Sequence, residues 1–298
     1  MQKMYEKLNV KHKIFSEAFP PDEKGERNNL LSYSSYHYLL NGITINPENI
    51  IYKPLSKDNL TEVKNLHKEW FPIDYDDEFF EEILNDKGKN YFTIGAFYNI
   101  PCNDGANKEI ILGLAFCEYE YIIDRFNKYV NSKIMDDIYK DLSNCEQFTQ
   151  FLRCKFYKCI YVMTIGVLDE LRQMHIGSNL LNYIYNIALD IENCIGVYLH
   201  VICYNEIAIK FYKKNKFRKV SKVNNYYYIN GKNYDSFVFL RLISKREKED
   251  YKNNMGNSKQ IVDENKYKYK KINIIKLILL IIFIITNILI EYKKNQKI

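Results

Sequence analysis

The chain has 298 residues, 47% hydrophobic and 27% charged, which is ample for a folded core of one large domain or two small ones. Its net charge of +6 is spread along the sequence, with only a local run at Lys266, Lys268, Lys270 and Lys271, so no basic face for a nucleic-acid partner is expected. Seven cysteines, odd in number and without a C-x-x-C pair, support neither a metal site nor a disulfide framework and fit a reducing compartment.

Residues 1–49 carry Pro20-Pro21 and a charged cluster and read as an extension with little order, although Leu30 to Leu40 is aromatic enough to pack. A domain is expected over 50–243. Ile50 to Tyr52 is a short strand, and Asp58 to Trp70 places Leu60, Val63, Leu66 and Trp70 at helical spacing before Pro72 stops it. Asp77 to Leu84 is a second helix. Strands follow at Tyr91 to Tyr98 and Ile110 to Tyr119, joined through the turn-rich Pro101 to Asn107. Residues 120–157 are charged, lack a period, and read as an insertion between strands. Lys158 to Val167 is apolar enough to be a central strand.

Ile176 to Ile191 is an amphipathic helix, Gly196 to Ile202 a strand, and Asn205 to Lys214 a helix with Ala208, Phe211 and Tyr212 on one face. Lys219 to Ile229 and Ser236 to Ile243 close the domain as a hairpin around Asn230-Gly231. Residues 244–271 read as a charged linker. Residues 272–290, INIIKLILLIIFIITNILI, hold a single charge, Lys276, and as a helix would reach about 28 Å, close to a bilayer core. A transmembrane tail anchor is expected there; a buried core helix is the alternative.

The order β-α-α-β-β-(insertion)-β-α-β-α-β-β describes an α/β domain, a mixed sheet flanked by helices. Its most informative part runs from Tyr161 to Ser178: an apolar strand, a turn with Arg172, and a short turn opening a helix. That order sets unpaired backbone N–H groups at a helix start, where they can hold a pyrophosphate. The segment resembles the acetyl-CoA-binding core of the GNAT acetyltransferases, whose signature is Arg/Gln-x-x-Gly-x-Gly/Ala. Arg172, Gly177 and Ser178 fit, and His175 stands where the first glycine belongs. Trp70 to Tyr75 (WFPIDY), Tyr198-Leu199-His200-Val201 and Tyr226-Tyr227-Tyr228 narrow the likeness to the Golgi-associated, NatF-type N-terminal acetyltransferases of that family, over roughly Ile50 to Ile243.

The resemblance implies acetyl-CoA as cofactor, protein N-terminal peptides as substrates, and Tyr161 and His200 as the catalytic pair. Read alone, either residue is a core side chain. Cofactor contacts are expected from Ile165, Gly166, Val167, Arg172, Gln173, Met174, His175, Ile176, Gly177 and Ser178, then from Asn205, Tyr212, Lys213, Lys214 and Asn215. Phe71, Pro72, Ile73 and Tyr75 would face Tyr227 and Tyr228 over Met163, forming a slot for an initiating methionine. The expected enzyme is membrane-anchored and cytosol-facing, on the Golgi or otherwise the endoplasmic reticulum. Two other functions stay open: a lysine (histone) acetyltransferase, and a membrane-bound adaptor of the same fold without catalysis.

Overall fold

The structure is a computed structural model, and it describes residues 43–71, 75–84, 90–101, 107–122, 126–129, 157–229 and 231–255. The chain divides into two units, Met1–Glu249 and Asp250–Ile298. The first contains a seven-stranded sheet. In chain order its elements are β1 (Ile51–Lys53), α1 (Leu60–Trp70), α2 (Asp77–Leu84), β2 (Tyr91–Pro101), β3 (Asn107–Tyr121), the one-turn α3 (Phe126–Tyr129), β4 (Lys158–Val167), α4 (Ile176–Asp190), β5 (Cys194–Ile202), α5 (Glu206–Lys214), β6 (Arg218–Ile229) and β7 (Lys232–Leu242).

The strands lie in the order β1-β2-β3-β4-β5-β7-β6. Neighbours are antiparallel except β4 and β5, which run parallel. Parallel strands need a crossover, and α4 provides it. Its Leu180, Ile184 and Ala188 recur at the spacing that buries one helical face, and all three are buried. α4 opens against β3, where a β-carbon on Gly113 would lie 3.2 Å from Ile176 Cγ2. The other face of the sheet receives α1 through Val63, Leu66 and His67, and α2 through Phe80 and Ile83.

Two irregularities shape the centre. β4 pairs with β5 only from Lys158↔Cys194 to Val162↔Leu199. Beyond that register, β4 continues along β3 to Val167↔Gly113, and β5 continues along β7 to Ile202↔Ser236. The two strands therefore part. At the same level the β3–β4 register steps from Cys117↔Val162 to Phe116↔Thr164, leaving Met163 as a bulge residue. A bulge bends its strand and adds local twist, which accompanies the parting.

Several elements differ from the sequence reading. The third strand runs to Tyr121, so Glu120 belongs to the sheet and not to an insertion. Lys245–Met255, expected within a linker, is a helix, α6. Its start is held by Ser244 and Glu247 in reciprocal hydrogen bonds, and Lys248 Nζ donates to the carbonyls of Ile191 and Glu192 at 2.6 Å. The readings made for 1–42, for most of the insertion and for the apolar 272–290 lie outside the described residues. Among the described residues no helix is long and apolar enough to cross a membrane.

His67 joins α1 to β4. Its Nδ1–H donates to the Val63 carbonyl at 3.0 Å, and the Thr164 hydroxyl donates to Nε2 at 3.3 Å. The ring stacks on Phe116 with centroids 4.4 Å apart. Burial disfavours the charged imidazolium and pulls the His67 pKa from 6.5 down to about 3, against a smaller opposing effect of the Val63 bond. The unfolded chain therefore binds a proton that the native state refuses. Stability from this neutral His67 is full above about pH 6.5 and falls by about 1.4 kcal/mol per pH unit between about 6.5 and about 3. Urea unfolding at pH 7 and pH 5 is expected to show that fall in the wild type. The fall should be smaller, by that slope, in His67→Met.

Candidate active site

The parting of β4 and β5 exposes backbone that a strand would otherwise cover. Thr164, Ile165, Gly166 and Val167 keep β3 on one side, and from Met163 to Val167 the strand has no partner on the other among the described residues. Gly166 lacks a side chain because the indole of Trp70, at the end of α1, rests on it; a β-carbon there would collide with Trp70 Cε3. After Val167 the chain makes a 3-10 turn (Asp169–Leu171) and then the loop into α4.

That loop explains the histidine at the glycine position of the signature. His175 has φ 62° and Gln173 φ 72°, both left-handed. The backbone there requires positive φ, not merely a small residue, and His175 adopts it with its ring exposed. The Met174 N–H of this turn is taken by the Leu171 carbonyl at 3.4 Å, and the first N–H groups of α4, which have no partner within their own helix, follow it. The first turn of α4 carries no acidic side chain that would repel an anion. Arg172, expected among the cofactor contacts, ion-pairs with Asp169 three residues back. Ile176 is buried, so it offers its backbone alone. Gly177 is small because Phe211 of α5 lies over it, 3.1 Å from the position of a β-carbon.

Across the gap, Asn205 caps α5. Its Oδ1 accepts the Ala208 N–H at 2.9 Å, and its Nδ2, in a fully buried side chain, has no partner among the described residues. An orphaned buried donor at the mouth of a strand gap fits a ligand carrying amide carbonyls. The outer end is different. Tyr212 is buried with its ring against Phe211, Phe217 and Phe239, Asn215 Nδ2 donates to the Phe211 carbonyl at 2.9 Å, and Lys213 and Lys214 are exposed. Tyr212 packs in the core, and Asn215 bonds the end of α5.

The α1 face of the gap is aromatic. Tyr161 and Tyr198 are register partners, their rings stacked at 4.9 Å. His200, two residues after Tyr198, shares its face and meets Tyr161 edge-on at 5.6 Å. Both expected catalytic residues are therefore brought together, and both are buried. Three neighbours were not foreseen as site residues. Tyr226 Oη lies 3.1 Å from Tyr161 Oη, and its ring stacks on His200 at 4.0 Å and 7°. Tyr129 meets His200 edge-on at 4.6 Å. Buried Glu120 accepts a hydrogen bond from the Tyr198 hydroxyl.

Of the expected slot, Met163 is buried, and Phe71 and Tyr227 share one buried cluster with Ile202 and Ile229. Tyr75 stacks on Phe79 at 4.6 Å, and burial alone pushes its hydroxyl pKa well up. Tyr228 is 57% exposed, so Tyr226, not Tyr228, stands over the pair. Pro72 and Ile73 lie outside the described residues.

Residues 60–217 match the model of the acetyltransferase (GNAT) family. The chain belongs to the GNAT family. This GNAT acetyltransferase is 30% identical over 203 residues to histone acetyltransferase MCC1 of Arabidopsis thaliana, covering 68% of the chain and 73% of that protein. It is 32% identical over 198 residues to N-alpha-acetyltransferase 60 of Drosophila melanogaster, covering 64% and 67%. The crystal structure of Arabidopsis thaliana NAA60 in complex with acetyl-CoA aligns with a TM-score of 0.52 at 27% identity, covering 65% of this chain and 98% of that one. Acetyl-CoA is the acetyl donor of this GNAT enzyme. The free edge of β4, the left-handed turn before α4 and the orphaned Asn205 amide fit its pantetheine and pyrophosphate.

The turn generates a test. Left-handed backbone costs a non-glycine residue about 1–2 kcal/mol, and glycine gives back about 0.4–1 kcal/mol through the unfolded chain. His175→Gly is therefore expected to raise the melting temperature by about 2–4 °C and to leave acetyl-CoA binding intact. Thermal melts with and without acetyl-CoA check both. A lower melting temperature, or loss of the ligand-induced shift, would mean that the imidazole itself holds the turn or the phosphate.

Proposed function

We propose that this enzyme acetylates the α-amine of protein N-termini, preferring Met followed by a hydrophobic residue or Lys. The observation that carries the reading is the packing of Phe71 and Tyr227 in one buried cluster with Ile202 and Ile229. It joins the end of α1 to the β6–β7 hairpin beside Tyr161 and His200. A groove closed at that side does not let a polypeptide lie through it, so the substrate enters end-first and presents a terminal amine. The relatives named N-alpha-acetyltransferase 60 support the same reading.

Acetyl-CoA supplies an acetyl group activated as a thioester. The chain supplies position and proton management. Unpaired groups of Met163 to Val167 hold the pantetheine arm, Asn205 Nδ2 bonds it from α5, and the N–H groups of Gln173 to Ser178 take the pyrophosphate. An α-amine with a pKa near 8 is already neutral in about one molecule in ten at pH 7, against roughly one lysine in a few thousand. A modest base is therefore enough. We assign it to His200, because an imidazole takes up protons near neutral pH, and the complementary acid to Tyr161, because a phenol keeps its proton there. The aromatic shell of Tyr129, Tyr198 and Tyr226 excludes bulk water from both.

Phe71, Met163 and Tyr227 offer an apolar wall for the first side chain. Burying a methionine there is worth about 1.5–3 kcal/mol, or roughly ten- to a hundredfold in selectivity. Peptides beginning Met-Leu, Met-Ile or Met-Lys are expected to be acetylated faster by that factor than a Ser-start peptide. Tyr161→Phe and His200→Ala should each lower turnover by about a hundredfold. Mass spectrometry on peptides with free and blocked N-termini decides the matter. Equal acetylation of a lysine in the blocked peptide would instead support a lysine acetyltransferase; the Arabidopsis relative is named a histone acetyltransferase.

We further propose that 272–290 is a membrane anchor, with the enzyme facing the cytosol, most simply at the Golgi. Its apolar length supports the span itself. Because α6 bonds to the carbonyls of Ile191 and Glu192, the informative truncation is after Met255. That form is expected in the soluble fraction with full peptide activity, while the whole chain sediments with membranes. A truncated form that remains in a salt-resistant membrane pellet would assign the anchoring to another segment.

A further inference from the structure

β6 and β7 do not pair evenly. Their register steps from Val223↔Ser236 to Tyr227↔Tyr234, so Asn224, Asn225 and Tyr226 of β6 face Asp235 alone on β7. The bulge is fixed chemically. Asn225 is left-handed, φ 52°, a conformation that asparagine tolerates. Its N–H donates to Asp235 Oδ1 at 2.9 Å, and the same carboxylate holds Lys222 Nζ at 2.6 Å. The result separates consecutive tyrosines. Tyr227 is fully buried in the cluster with Phe71, and its ring stands at 90° to Tyr226, which turns toward His200 instead. Bulges beside active sites re-aim side chains in this way.

We propose that Tyr226 is a positioning residue for the acid–base pair, placed by this bulge and acting on both members at once. Its hydroxyl orients the Tyr161 hydroxyl across 3.1 Å, and its ring, lying on His200 at 4.0 Å, fixes the plane of the imidazole. Tyr161 lies in the last paired stretch of β4 and β5, whereas His200 lies just beyond Leu199, the last β5 residue paired to β4, and is held by β7 alone. Tyr226, from a third strand, joins Tyr161 to His200 across the end of that pairing.

This rests on the reading of Tyr161 and His200 as the catalytic pair, and the test separates the two ideas. Steady-state kinetics are compared for the wild-type chain, Tyr226→Phe, Tyr161→Phe and the double variant, with a Met-Leu peptide and acetyl-CoA. Tyr226→Phe keeps the stacking ring and loses only the hydroxyl. It is expected to lower kcat about tenfold, with KM for the peptide changed less than about twofold. In the Tyr161→Phe background the same substitution should change kcat by less than about twofold, because the group it orients is gone. Tyr226→Leu, which loses the stack as well, should fall further than Tyr226→Phe. An equal factor in both backgrounds, or an effect on KM alone, would overturn the positioning role while leaving the pair intact. Full turnover in Tyr161→Phe would overturn the pair and this role together.

Discussion

β4 and β5 pair through Val162 and Leu199 and then separate, and the functional geometry depends on that separation. A parallel pair in the middle of a sheet normally satisfies both edges of each strand, and buried backbone groups left open are costly. Here the opening is stabilised from three sides. The Met163 bulge bends β4 away, Trp70 of α1 rests on Gly166, and His67 ties α1 to Thr164. β5 stays with β7 through Ile202. The gap is therefore a property of the packed core rather than of a loop, and its open hydrogen-bonding edge is available to a ligand that brings its own amides.

The same separation creates the problem that the aromatic face solves. Tyr161 lies where β4 and β5 still pair, but His200 lies just beyond their last pair, where β7 alone holds β5. Around His200 the rings of Tyr129, Tyr161, Tyr198 and Tyr226 approach within 4.0 to 6.1 Å of its centroid. Aromatic rings lose few rotamers on packing and carry hydroxyls to the site, so they combine stiffness with proton-bonding groups. Tyr198 extends the chain to buried Glu120. On the proposed reading, cofactor and amine meet where open backbone on β4 faces a rigid tyrosine shell.

Much of this was legible from residue patterns. The central strand Lys158–Val167 and the helix Asp77–Leu84 fall where their apolar runs end, and the two site residues on adjacent strands follow from local motifs. What was hidden has physical causes. A register shift leaves no mark in composition, so the bulge that turns Tyr226 toward His200 could not be told from a plain strand in which Tyr227 and Tyr228 form the wall. Asn-Asn before three tyrosines was the available signal, since asparagine tolerates positive φ. Glu120 looked like an insertion charge because a buried carboxylate is rare, and its partner Tyr198 is 78 residues away. In sequence, the histidine stands where the signature has a glycine. It is a left-handed residue whose side chain points to solvent. Tyr212, on a helix facing the cofactor's path, was drawn into the core by Phe217 and Phe239.

The central claim is that backbone left open by the parting strands receives the cofactor. Amide hydrogen exchange of the whole chain with and without saturating acetyl-CoA measures this directly. Slowed exchange is expected at Met163 to Val167 and at Gln173 to Ser178, with little change along β1 and β2. Saturable binding that leaves both segments unaltered would place the cofactor elsewhere and contradict the account.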